Sequence, residues 1–359
     1  MKILLAIDSF KNCMSSVEAE NAVVGAFAEA LSDARVEAVP VSDGGEGMAC
    51  AFTTALGGRL VTLTVHDAFM RRREAVYGIT PDGCAVVEVA EACGLAHVAP
   101  EERNPVRATT YGVGEIVAHA VRSGCRDFII GLGGTATSDC GMGMLRALVD
   151  LLGNGGNIDS VIAGPLRGCR FTLACDVRNP LTGPDGAAAV FAPQKGASPD
   201  MVRQLEDCAV RFARFSAQHF GHDCSQQPGS GAAGGLGYAF MQYFGARQKP
   251  GADLLLDILH FDRLAAEADI VVTGEGCADR QTLMGKLPER VLAWTRANGN
   301  AAVWLVAGRV ADVDKLAEAG FSAIGEITPP SQPLDEALQP EVAKANLRNA
   351  VLRMIKEMK

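Results

Sequence analysis

At 359 residues, with 48% apolar and 21% charged content, the chain predicts about two domains that bury their own cores without disulfide or metal support. A net charge of −9, a pI near 5.3 and the absence of any Lys/Arg run exclude a duplex nucleic-acid binder, which needs a basic face. No run of 18 apolar residues predicts a membrane span, and eleven scattered cysteines without C-x-x-C predict reduced thiols in a cytoplasmic protein.

The chain opens on MKILLAIDSF, whose apolar core of five residues is too short for a signal peptide and predicts a buried strand. A helix over 15–31, a strand over 35–41 and a helix over 46–56 follow, a βαβα order that implies a parallel sheet. Residues 60–100 alternate with turn signals and predict antiparallel strands. A helix, strand and helix span 113–152, followed by a strand in RFTLACDV and a long helix from Pro199. The βα pattern resumes with strands at 269–274, 301–308 and 321–327, helices between them and a C-terminal helix.

The fold class is therefore α/β. Both chain ends, 1–62 and 256–359, form a Rossmann-like parallel-sheet domain, and a second α/β domain, 63–255, is inserted. A continuous split near residue 160 is the rival division. No internal repeat is visible.

Chemistry gathers at the predicted strand ends. Three carry polar clusters: IDSFK (Asp8, Ser9, Lys11), SDGGEG (Ser42, Asp43, Glu46) and TGEGCAD (Thr273, Glu275, Asp279). Ligands of open α/β sheets sit at such carboxyl ends, and carboxylates, hydroxyls and a lysine are what Mg²⁺-assisted phosphoryl transfer uses. The stretch GLGGTATSDCGMG (131–143) joins a strand to an amphipathic helix through Gly133, Gly134, Thr135, Thr137, Ser138 and Asp139. Glycine amides and a helix N-terminus suit an anion; the plainer alternative is that Asp139 only caps the helix. Three of only nine lysines, Lys11, Lys195 and Lys286, sit in such loop motifs. The match to G-x-G-x-x-A at 131–136 lacks an acidic residue at the end of a second strand, which disfavours nicotinamide binding, and no Walker A pattern is present. A zinc cluster of Cys208, His219, His222 and Cys224 has poor spacing.

Seven ordered blocks, DSFK (8–11), SDGGEG (42–47), GLGGTATSDCGMGM (131–144), ACDVRNPLTGPDGAA (174–188), PQKGA (193–197), PGSGAAGGLG (228–237) and TGEGCADRQTLMGKLP (273–288), make the chain resemble the bacterial glycerate kinase family of the glycerate 2-kinase type. The resemblance implies phosphorylation of D-glycerate by ATP with Mg²⁺, at O2 or at O3, at an active site in the cleft between the two domains; composition and charge give no nucleic-acid or membrane partner. The motifs fall here on Lys11, Asp43, Asp139 and Lys195 as catalytic candidates, and on Asp8, Ser9, Gly133, Gly134, Thr135, Thr137, Ser138 and Lys286 as substrate or phosphate contacts. Glu46, Glu275 and Asp279 are the metal candidates. The chain departs from the family at Asn12, at Thr135, Ser138 and Cys140, and at Cys277, where an arginine is usual. That lost cation keeps open a kinase for another small hydroxyacid or sugar acid, or a non-catalytic glycerate or nucleotide sensor. Oligomeric state, a homodimer included, stays open.

Overall fold

The computed structural model describes residues 1–10, 13–39, 41 and 47–358. Eleven strands lie among them: β1 (Lys2–Ile7), β2 (Arg35–Ala38), β3 (Arg59–His66), β4 (Arg72–Ile79), β5 (Ala85–Glu88), β6 (Asp127–Gly131), β7 (Arg170–Ala174), β8 (Arg247–Lys249), β9 (Ile270–Ala278), β10 (Ala302–Val310) and β11 (Ala323–Glu326). The chain divides into two compact units, Met1–Asp43 with Ala252–Lys359, and Gly44–Gly251.

The first unit is a parallel sheet of order β11-β10-β9-β1-β2, with Ile3 opposite both Val36 and Ile270. Ile3 to Ile7 are all fully buried, so β1 reads as an unbroken apolar run rather than an alternating one. Ile3, Leu5 and Ile7 pack on Val23 and Phe27 of the helix Ser16–Ala30 and on Leu347 and Val351 of the helix Pro340–Met358. Leu4 and Ala6 point to the other face by strand alternation. The helix Ser16–Ala30 starts on a capping box, Ser15 with Glu18.

Glu20 is buried in this helix, and its Oε1 has no hydrogen-bond partner among the described residues. Burial pushes its carboxyl up to about 8, against the lowering pull of the Ile7 backbone and the Ser16 hydroxyl. Between the ordinary carboxylate range and pH 8 the folded chain therefore holds a proton that the unfolded chain has released. Stability falls as pH rises through that window. Glu20→Gln should abolish this fall, leaving stability near wild type at pH 4.5 and raising it by on the order of 2 kcal/mol at pH 8. Urea melts at both pH values check it; parallel pH curves for the two proteins would refute the assignment.

The second unit holds a mixed sheet of order β3-β4-β5-β6-β7-β8. β3, β4 and β5 pair antiparallel, as the alternation predicts, and β5 to β8 run parallel. Strand structure stops at Glu88 rather than near residue 100. Val89, Ala92 and Cys93 are buried at helical spacing, and Ala90–Cys93 forms one helical turn. The helix Met48–Ala55 packs on β4 and β5, and the Gly47 and Ala49 amides donate to the Glu88 carboxylate at 3.1 and 3.4 Å. This helix, grouped with the first domain by its sequence, thus sides with the second unit.

The long helix Pro199–Phe220 follows its sequence signals closely. Ser198 Oγ accepts from the Met201 amide, Pro199 opens the first turn, and Gly221 closes the helix in the left-handed region at φ 73°. No helix among the described residues is long and apolar enough to cross a membrane.

Candidate active site

In the first unit the carboxyl ends of β1, β9 and β10 open onto a cavity of about 370 Å³. Asp8, Ser9, Glu275 and Lys286 line its polar part, and Phe10, Ile327, Leu334 and Leu338 its apolar part. The Ser9 amide turns back to Asp8 Oδ1 at 2.7 Å, and the Asp8 amide donates to the Gly274 carbonyl of β9.

Glu275 is 8% exposed and doubly engaged. Its Oε1 accepts from Thr282 Oγ1 at 2.6 Å, and its Oε2 pairs with Lys286 Nζ at 2.9 Å. Burial works against the charge on Lys286, but the Glu275 carboxylate more than offsets it and holds the ammonium above the usual lysine range. Lys286 therefore stays charged at neutral pH, partly exposed at the cavity wall. Asp279 lies in a tight turn: its Oδ1 accepts from the Gln281 amide at 2.7 Å, and its own amide donates to Thr282 Oγ1. That turn presents Thr282 to Glu275, a partner seven residues away with no motif to announce it.

In the second unit the stretch 131–143 leaves β6 and is pinned from three sides. Leu95 and Ala136 amides bond the Gly134 and Cys93 carbonyls, and the Cys140 amide bonds the Gly234 carbonyl. Lys195, 4% exposed, donates to the Thr137 carbonyl at 2.6 Å and to Thr135 Oγ1 at 3.2 Å. Burial pushes its ammonium down to about 8, with the nearby Cys93 and Asp139 opposing. The Thr137 and Ser138 hydroxyls are buried without a hydrogen-bond partner among the described residues.

Asp139 does not point a free carboxylate outward. Oδ1 accepts from the Gly141 amide at 3.0 Å, and Oδ2 from the Thr110 and Gly143 amides at 2.9 and 3.0 Å. The Thr110 hydroxyl adds a further bond at 3.0 Å. With the Thr109 hydroxyl at 3.4 Å as a fifth donor, Asp139 ties the Gly141 and Gly143 amides, at the start of the helix Met142–Leu152, to Thr109 and Thr110. Thr110 sits 29 residues upstream, where no sequence pattern marks it.

The structure thus gathers Asp8, Ser9, Glu275 and Lys286 on one cavity, and Thr135, Thr137 and Lys195 in one network. Gly133 and Gly134 belong to the same loop, Gly134 at φ 62°. Lys11, Asp43 and Glu46 lie outside the described residues. Among those described, no group of three His, Cys, Asp or Glu could hold a metal ion. Glu275 and Asp279 share no such cluster, since one is paired with a lysine and the other is tied into a turn. The apolar wall, Phe10 with residues 327–338, was missed in sequence; its signal is a pair of leucines left outside any helical core stripe.

Comparison with known proteins bears directly on these motifs. Residues 3–359 match the glycerate kinase family. The chain is 37% identical to a glycerate kinase of Bacillus subtilis, over 94% of its own length and 93% of the relative's. It is 35% identical to a glycerate 2-kinase of Escherichia coli K12 at the same coverages. The solved structure of a proposed glycerate kinase 2 from Salmonella typhimurium LT2 superposes with a TM-score of 0.86 at 35% identity, covering 100% of this chain and 98% of that one. The seven motif blocks and these whole-length similarities agree, and the chain is a kinase that belongs to the glycerate kinase family.

Proposed function

We propose that the enzyme transfers the γ-phosphoryl group of ATP to O2 of D-glycerate, giving 2-phosphoglycerate and ADP. The glycerate hydroxyl oxygen forms the new P–O bond, the bond to the ADP oxygen breaks, and the hydroxyl proton leaves to a base. The observation that carries this reading is the Glu275–Lys286 pair set into the cavity at the strand ends. A lysine kept charged by a buried carboxylate supplies fixed positive charge where phosphate oxygens carry negative charge during transfer.

Mg²⁺ needs only one or two carboxylates beside phosphate oxygens and water, so Asp8, on the cavity, would supply one, while Glu275 is held by Thr282 and Lys286. When bound, it neutralises charge on the phosphate oxygens. Asp43 and Lys11 remain the motif-based candidates for base and for a second phosphate contact. The loop 133–138, fixed from below by Lys195, is read as part of the substrate and phosphate cradle.

The test is ADP release from Mg-ATP with D-glycerate against L-glycerate and other small hydroxyacids, read in parallel through enolase. An enolase signal that needs no phosphoglycerate mutase supports transfer to O2; a mutase-dependent signal makes the product 3-phosphoglycerate and corrects the reading. Lys286→Ala should lower kcat by roughly 10²–10³-fold, the usual effect of removing one transition-state donor, with the circular dichroism spectrum unchanged. Undiminished turnover in the folded variant would take Lys286 out of the mechanism.

A further inference from the structure

We infer that the cavity of the first unit seats the nucleoside end of the phosphoryl donor, with the base against the wall of Phe10, Ile327, Leu334 and Leu338 and the phosphates toward Lys286. This rests on the ATP reading above and adds to it a place and an orientation. The acceptor cannot explain the cavity. Glycerate carries oxygen on every carbon and gains nothing from an apolar wall, and 370 Å³ lies in the range of pockets that take a larger organic ligand. A nucleobase has two apolar faces and polar edges, which is what a wall of this kind covers.

A second observation points to the same occupant. Leu334 is 58% and Leu338 40% exposed at the ends of the short helix Leu334–Ala337, while Ala337 and Ala343 behind them are buried. Both leucines line the cavity, and a flat apolar group that enters it covers apolar surface that is otherwise exposed. The polar part suits the rest of the molecule. Lys286 and Arg309, both on the cavity, meet phosphate.

Cys277 supplies a reporter, because its exposed thiol lines the same cavity, whereas the exposed Cys50 belongs to the second unit. Alkylation of the intact enzyme by N-ethylmaleimide, followed peptide by peptide by mass spectrometry, tests the inference. ATP and AMP should each slow the labelling of Cys277 at least about fivefold and leave Cys50 unchanged, and D-glycerate alone should slow neither. Leu338→Asp should raise KM for ATP about tenfold or more while leaving KM for D-glycerate within about twofold. Protection of Cys277 by D-glycerate alone, or by pyrophosphate but not AMP, would overturn the assignment of the base to this wall. So would full ATP turnover with Cys277 labelled at its free rate. Absence of any ATP-dependent turnover would instead overturn the donor reading on which the inference stands.

Discussion

Lys195→Met will lower kcat by about 100-fold and will remove a rise in stability above pH 8. The ammonium fixes the Thr137 carbonyl and the Thr135 hydroxyl from beneath the loop, and methionine fills the space but donates nothing. A loop displaced by about 1 Å from its working position loses on the order of 10² in rate without any change in the reacting groups. The pH signature follows from burial, which holds the folded lysine near 8, below its unfolded value. From pH 8 to about 10.5 the unfolded chain binds the proton that the folded chain has lost, so wild-type stability gains with pH there, and below pH 8 this group gives no slope. Urea denaturation at pH 7.5, 9 and 10 shows the gain in wild type and its absence in the variant. A folded Lys195→Met enzyme with undiminished kcat would show that the loop needs no such support.

Gly234→Ala will be the most destabilising single-methyl change in the second unit, at about 3 kcal/mol or more. The residue sits at φ 66°, where an L side chain is strained, and an added Cβ would lie 2.0 Å from the Thr137 carbonyl oxygen. That atom is backbone, already held by Lys195, and cannot swing away. Left-handed strain and overpacking each cost on the order of 1–3 kcal/mol. A thermal melt reads the loss. A melting temperature within about 2 °C of wild type would mean that the glycine turn yields, and that the loop is not clamped as described.

This clamp shows where sequence reasoning stops. GSGAAG at 229–234 looks like a phosphate loop out of context; its glycines instead let the turn lie flat on residues 137–140, with the Cys140 amide bonded to the Gly234 carbonyl. The parallel sheet was legible because β1 and β9 are apolar runs ending in polar clusters, and the helix from Pro199 because cap, proline and closing glycine are all local. Lys195 and Lys286 were legible as scarce cations in loops. Their partners were not, since Glu275 with Thr282 and Asp139 with Thr110 are contacts made by the folded chain. The cavity wall escaped notice for the same reason, because Leu334 and Leu338 lie in a loop-like stretch of the sequence until the end of β9 is set beside them.

The placement of β1 has a consequence for how the chain is made. Ile3 completes its pairing only when Ile270 arrives, yet the whole of residues 44–251 lies between them. At roughly 5–20 residues per second, β1 leaves the ribosome some 15–50 s before β9. During that interval the inserted unit is complete and free to fold, while the apolar strand β1 has only β2 beside it and the edge that β9 will cover stays open. That open edge of β1 is thus the segment that calls for holding by a chaperone, and the arrival of β9 and β10 sets the time at which the cavity first exists.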